Sequence, residues 1–212
     1  MEENKIQNQI AIYMTNKKLC EFNDKLKVAP LEYYGHIHAQ GEKVNGNRAR
    51  SCVGIVLQDY SNGTGANTVR VTANLSPEFF SYALSKVTAG VENFEFSEEK
   101  IFGEPDDKGL STVTKVSIKR ASVGKDGRPR NYPWCVTVEN GRAVKESTAT
   151  GGCHAKKNSY VRGNFVFVNI NDYDFFNLMQ RVCRYISVWE LTWGPRLIRD
   201  AGKAIAEQQS YR

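Results

Sequence analysis

Two stretches of this chain read as copies of one another, and that constrains its folding more than any bulk property. Val71-Thr72-Ala73-Asn74-Leu75 runs into Ser76-Pro77-Glu78-Phe79-Phe80, and Val166-Phe167-Val168-Asn169-Ile170 runs into Asn171-Asp172-Tyr173-Asp174-Phe175-Phe176. Each is an alternating strand that ends at a helix start behind a small polar residue. Upstream, Cys52-Val53 answers Cys135-Val136, and His36-Ile37-His38 answers Ser117-Ile118-Lys119. Between these strands lie the turns Val44-Asn45-Gly46 and Lys125-Asp126-Gly127, followed by Arg48 and Arg50 in one half and Arg128 and Arg130 in the other. A period of roughly eighty to one hundred residues is too long for a solenoid, so the reading is two half-domains joined as a pseudo-dimer.

The pattern predicts an α+β fold of two similar antiparallel-sheet-plus-helix half-units with an extra C-terminal helix. The first half-unit spans 1–91, an acidic junction 92–109, the second half-unit 110–193 and the terminal helix 194–212. Ile6 to Met14 reads as a strand or short helix, followed by strands at Leu31 to Gln40, Arg50 to Asp59 and Thr68 to Leu75. Pro77 at a first helical position and Gly90 beyond the end bound a helix from Pro77 to about Ala89. In the second half, Asn93 to Phe96 is a candidate first strand, followed by Val113 to Ser122, Tyr132 to Asn140, Val161 to Ile170 and a helix from Tyr173. Gly141 to Ser159 reads as a mobile basic loop, and Gly194-Pro195 as the break before a separate helix, Arg196 to Gln209.

Charge narrows the function. The net charge of +6 is unevenly spread: Glu92 to Asp107 is strongly acidic, whereas Lys115 to Arg162 is strongly basic. A basic strand-rich surface most often meets a polyanion. Arg128, Arg130, Tyr132 and Trp134 interleave cations and rings at a spacing of two, so phosphates and unstacked bases are both served. The binding residues read from this pattern are Arg48, Arg50, Lys115, Lys119, Arg128, Arg130, Tyr132, Trp134, Arg142, Lys145, Lys156, Lys157, Tyr160 and Arg162.

Catalytic and metal chemistry find little purchase. The five cysteines are widely spaced and form no Cys-x-x-Cys pair, so reduced, mostly buried thiols are expected, and Cys153-His154 lacks clustered partners for zinc. Glu104, Asp106 and Asp107 with Lys119 carry the residue types of a metal-dependent nuclease but not its spacing. His36 and His38 share an exposed polar strand face in this reading. No phosphate-binding Gly-Lys-Ser/Thr loop is present, nor a serine or cysteine with an evident base. The expectation is a non-enzymatic protein without metal or cofactor. No apolar stretch approaches the length of a membrane span and no signal-peptide plan opens the chain, which gives a cytoplasmic expectation.

A tandem of curved antiparallel sheets, each followed by one helix, resembles the Whirly and Pur-alpha-like proteins and the related single-stranded-DNA-binding coactivators. The resemblance covers roughly Ile6 to Ile186 and rests on that layout and on Leu75-Ser76-Pro77-Glu78-Phe79 and Ile170-Asn171-Asp172-Tyr173-Asp174. It implies binding of single-stranded nucleic acid over the sheets, DNA ahead of RNA, with little sequence preference, and some self-association through Trp189 to Arg199. The competing expectation is a protein-interaction module, such as a mobile-element or phage-type inhibitor or accessory factor of a nucleic-acid-processing enzyme, with Glu92 to Asp107 as its phosphate mimic.

Overall fold

The computed structural model describes residues 8–31, 36–149 and 151–210. Alternation of apolar and polar residues builds two antiparallel four-stranded sheets. The first contains β1 (Gln9–Met14), β2 (Lys18–Lys25), β5 (Cys52–Asp59) and β6 (Val69–Leu75), and α1 (Pro77–Thr88) follows it. The second contains β7 (Asn93–Phe102), β8 (Ser111–Ala121), β9 (Trp134–Ala143) and β12 (Val161–Ile170), and α2 (Asp172–Ser210) follows it. Small hairpins interrupt each sheet before its third or fourth strand: β3 (Gln40–Val44) with β4 (Asn47–Arg50), and β10 (Lys145–Ser147) with β11 (Cys153–Ala155). Asn45 and Gly46 both take positive φ (50° and 79°), the conformation a tight hairpin turn demands, and so fix the β3–β4 tip.

One core serves both sheets. Phe22, Ile55, Leu57 and Leu75 from the first meet Ile118, Val136, Val138 and Val168 from the second, closed by Phe79 and Phe80 of α1 and Phe175, Met179 and Val182 of α2. The edge of β6 does not face water. Asn140 donates to Thr72 O (2.8 Å) and accepts from Thr72 N (2.9 Å), standing in for a neighbouring strand, and Lys100 donates to Asn74 O (2.7 Å). A meander of four strands followed by a helix therefore occurs twice.

Several expectations are corrected. The expected strand from Leu31 to Gln40 is not found over its described residues: 32–35 lie outside the described ones, His38 makes only an isolated bridge with Val28, and Gln40 already opens β3. The second strand is instead β2, where the chain turns at Asn16-Lys17 rather than ending, so β2 and not His36-Ile37-His38 stands in chain order opposite β8. Ile6 also lies outside the described residues. The candidate first strand Asn93 to Phe96 is present and longer than expected, running through the acidic junction to Phe102 as β7 and hydrogen-bonded along its whole length to β8. Gly141 to Ser159 is not a loop but the end of β9 and the β10–β11 hairpin, whose turn is closed by Gly152 N–H donating to Thr148 Oγ1 (2.9 Å).

Among the described residues there is no separate terminal helix. α2 runs unbroken through Gly194 and Pro195, because burial of Leu197 and Ala201 and close packing of Gly194 on Ile37 hold the second part in line. Among the described residues, no helix is long and apolar enough to cross a membrane.

Candidate nucleic-acid interface

Strand alternation sorts the second sheet into two faces, and its outward face holds the polar chemistry. Register places Glu95, Lys119, Cys135 and Asn169 in one row across the sheet. The next row is Ser97, Ser117, Thr137 and Phe167, and the next Glu99, Lys115, Glu139 and Phe165. An open groove of about 450 Å³ runs over Ser97, Ser117, Thr137, Lys115 and Lys119.

Most of the expected cations on this face have carboxylate partners. Lys119 pairs with Glu95 (2.6 Å), Lys115 with Glu99 (3.1 Å) and Arg162 with Glu139 (2.9 Å). Arg142 pairs with Asp106, and Lys156 with Glu146 (3.4 Å), while Lys145 donates to Gly103 O (2.8 Å). The directed positive field expected from the sequence is therefore weakened, because folding lays the acidic segment beside the basic one. Arg48, Arg130 and Lys157 stay exposed and have no carboxylate within 4 Å among the described residues. Arg50 donates to Gln40 O (3.3 Å), and Arg128 keeps only a long contact to Asp126 (3.9 Å).

Trp134 is not a stacking residue for bases. It is fully buried, lies parallel to Phe175 with ring centroids 3.9 Å apart, and donates its indole N–H to Asp172 (2.7 Å). Tyr132 precedes β9, so the spacing of two between them does not place both rings on one sheet face. Tyr160 is half buried beneath the Lys115 ammonium (3.7 Å) and donates to Glu139 (2.5 Å); burial and this bond push its phenol up.

The rings that do face outward were missed. Phe165 and Phe167 are each 39% exposed, on the side of β12 opposite the buried Val166 and Val168. Arg162 lies over Phe165 (4.6 Å) and Lys18 over Phe167 (3.5 Å). The signal was present in the sequence: in Val166-Phe167-Val168, whichever face holds the valines, the phenylalanine takes the other. Beside Phe167, at the seam of the two sheets, Tyr13, Thr15, Lys18, Tyr132 and Asn169 line an open cleft of about 270 Å³. Tyr132 is 52% exposed there, and burial raises the Tyr13 phenol so that it keeps its proton.

The remaining candidates resolve as follows. The cysteines are all free thiols; Cys20 is buried and Cys153 is exposed, contrary to the general expectation of burial. Among the described residues no three His, Cys, Asp or Glu side chains cluster to hold a metal. His36 and His38 do not share an exposed face. His36 contacts Glu42 (2.5 Å), whereas His38 contacts Ser51 Oγ (2.8 Å) and Glu190 (3.0 Å) and stacks on Trp189 (4.8 Å). Ser51 Oγ also accepts the Lys27 N–H (3.0 Å), so this set, with Ser51 buried and His38 and Glu190 partly exposed, anchors α2 to the loop before β3.

Comparison of the chain with family models, curated proteins and solved structures finds no match.

Proposed function

We propose that this chain is a non-enzymatic binder of single-stranded nucleic acid, a pseudo-dimer of two meander-plus-helix units that needs no cofactor. The observation that carries the proposal is the outward pair Phe165 and Phe167, each beneath a cation and continuous with Tyr132 at the seam. A duplex keeps its bases stacked inside, and only an unpaired strand offers rings to such a platform. The exposed Arg48, Arg128, Arg130 and Lys157 supply phosphate contacts around it. DNA stands ahead of RNA, as the Whirly and Pur-alpha-like resemblance implies.

A second reading, contact with another protein chain or a second copy, is favoured by one feature. Val188, Leu191, Pro195 and Ile198 recur along the side of α2 turned away from the core, and all four are exposed.

Fluorescence anisotropy of labelled single-stranded and duplex oligonucleotides, at about 50 and 200 mM salt, tests the first reading. The expected result is salt-sensitive binding that favours single strands and weakens about tenfold or more in Phe165→Ala/Phe167→Ala, since one stacked base contributes roughly 1–3 kcal/mol. Absence of binding to every oligonucleotide would overturn it and turn attention to the α2 stripe.

A further inference from the structure

The first sheet repeats one cross-strand pair of the second and departs from it in charge. Register sets Lys25 of β2 opposite Cys52 of β5, as it sets Lys119 of β8 opposite Cys135 of β9. Lys119 is neutralised by Glu95, whereas Lys25 is exposed and, among the described residues, has no carboxylate within 4 Å. Its place is nonetheless fixed. A Cβ on Gly54 would stand 3.0 Å from Lys25 Cε, so that glycine lets the lysine stem lie across the sheet, and the ammonium donates to Asn74 Oδ1 (2.9 Å).

Three further cations converge on the same place. Lys100 reaches over from β7 and donates to Asn74 O (2.7 Å), so one asparagine holds two ammonium groups, one from each sheet. Lys27 follows the end of β2, and Arg50 ends β4 two residues before Cys52; both are exposed. Burial pushes the Cys52 thiol up, and Lys25, Lys100, Lys27 and Arg50 all pull against it, which sets the four charges round one half-buried side chain. Among the described residues, Glu98 beside Lys100 (3.0 Å) is the one carboxylate within 4 Å of any of the four. Like charges gathered in this way repel one another, and an anion that enters between them relieves the repulsion.

We infer that Lys25, Lys27, Arg50 and Lys100 form a phosphate-binding patch on the first sheet that takes the sugar-phosphate backbone of the bound strand. The inference rests on the single-stranded reading above and extends the footprint from the second sheet to the first. A lysine ammonium meets phosphate oxygens as a point charge. Such contacts position a strand and carry no sequence information, so the patch adds affinity without base preference. The second sheet cannot supply the same contact at its own lysine-cysteine pair, because Glu95 already occupies Lys119.

The test is anisotropy with a labelled single-stranded oligonucleotide that lacks a free terminal phosphate, at salt from about 50 to 200 mM. It compares wild type with Lys25→Gln/Lys27→Gln and with the charge-matched Arg199→Gln/Lys203→Gln, whose residues are exposed toward the end of α2. Thermal melting checks that both variants are folded. The expected result is that Lys25→Gln/Lys27→Gln binds about tenfold or more weakly at the lower salt. It should also lose about 1.4 from the slope of log affinity against log salt, since each contact to a single strand contributes roughly 0.7, while the α2 variant stays within about twofold of wild type. An unchanged slope in Lys25→Gln/Lys27→Gln, or equal losses in the two variants, would overturn the patch while leaving single-strand binding intact. Failure of the wild type to bind any strand would overturn the single-stranded reading, and the patch with it.

Discussion

Asp172, the first residue of α2, does two jobs with one carboxylate. It accepts a bidentate pair from Arg120 (3.0 and 2.9 Å) and the indole N–H of Trp134 (2.7 Å), tying β8, β9 and α2 together at the mouth of the core. The Arg120 bonds, then the Trp134 bond, hold the Asp172 carboxyl below the usual carboxylate range. A depressed carboxyl contributes stability that is present above its unfolded value of about 3.9 and is lost as pH falls through the lower folded value. Asp172→Asn should therefore cost about 1 kcal/mol near neutral pH, allowing for solvent screening, and its melting temperature should fall less steeply than wild type below about pH 4. Identical acid profiles in a pH series of thermal melts would contradict this. At this scale the sequence was partly legible. The alternation in Trp134-Cys135-Val136 fixes that Trp134 and Val136 share a face, but not which face is inward. That was decided by Phe175, which stacks on Trp134 from 41 residues later in the chain.

At the scale of elements, α2 carries the clearest conflict between local preference and packing. Pro195 has no N–H to give to the Leu191 carbonyl, yet the helix passes through it, because Gly194, Leu197 and Ala201 are buried. Its ring is exposed. Pro195→Ala should restore the missing bond and raise the unfolding free energy by about 1–3 kcal/mol in a denaturant titration. A destabilised variant would mean that the ring contributes packing the exposed site does not reveal. The same conflict explains why this helix was misread, whereas α1, with Pro77 at its start and Gly90 at positive φ just past its end, was legible almost to the residue. β2 was missed for another reason. Lys18, Glu21, Asn23, Asp24 and Lys25 dilute a short run whose buried Cys20 and Phe22 carry the period of two. β7 was cut short because its glutamates read as a linker, and only the lysines of β8 beside them make a strand of that composition comfortable.

For the whole molecule, two consequences follow from folding the acidic segment against the basic one. The outward face of the second sheet is a lattice of ion pairs and hydroxyls rather than a field of bare cations, and among the described residues exposed cations with no carboxylate within 4 Å lie both at the hairpins (Arg48, Arg130, Lys157) and along α2 (Arg181, Arg184, Arg199). On the proposed single-strand reading, capture then depends on rings as much as on charge, with Phe165, Phe167 and Tyr132 along one side and the seam cleft at the junction of the two sheets. The doubled strand-helix order was legible because each half repeats its own signals. The seam was not, since it forms from β1–β2 residues and β12 residues that lie about 150 positions apart in the sequence. The most direct measurement of the central claim is photocrosslinking of a single-stranded oligonucleotide carrying 5-bromodeoxyuridine, with the attached residues mapped by mass spectrometry. Crosslinks at Phe165, Phe167, Tyr13 or Tyr132 are the predicted result, and crosslinks confined to other surfaces, or none at all, would contradict it.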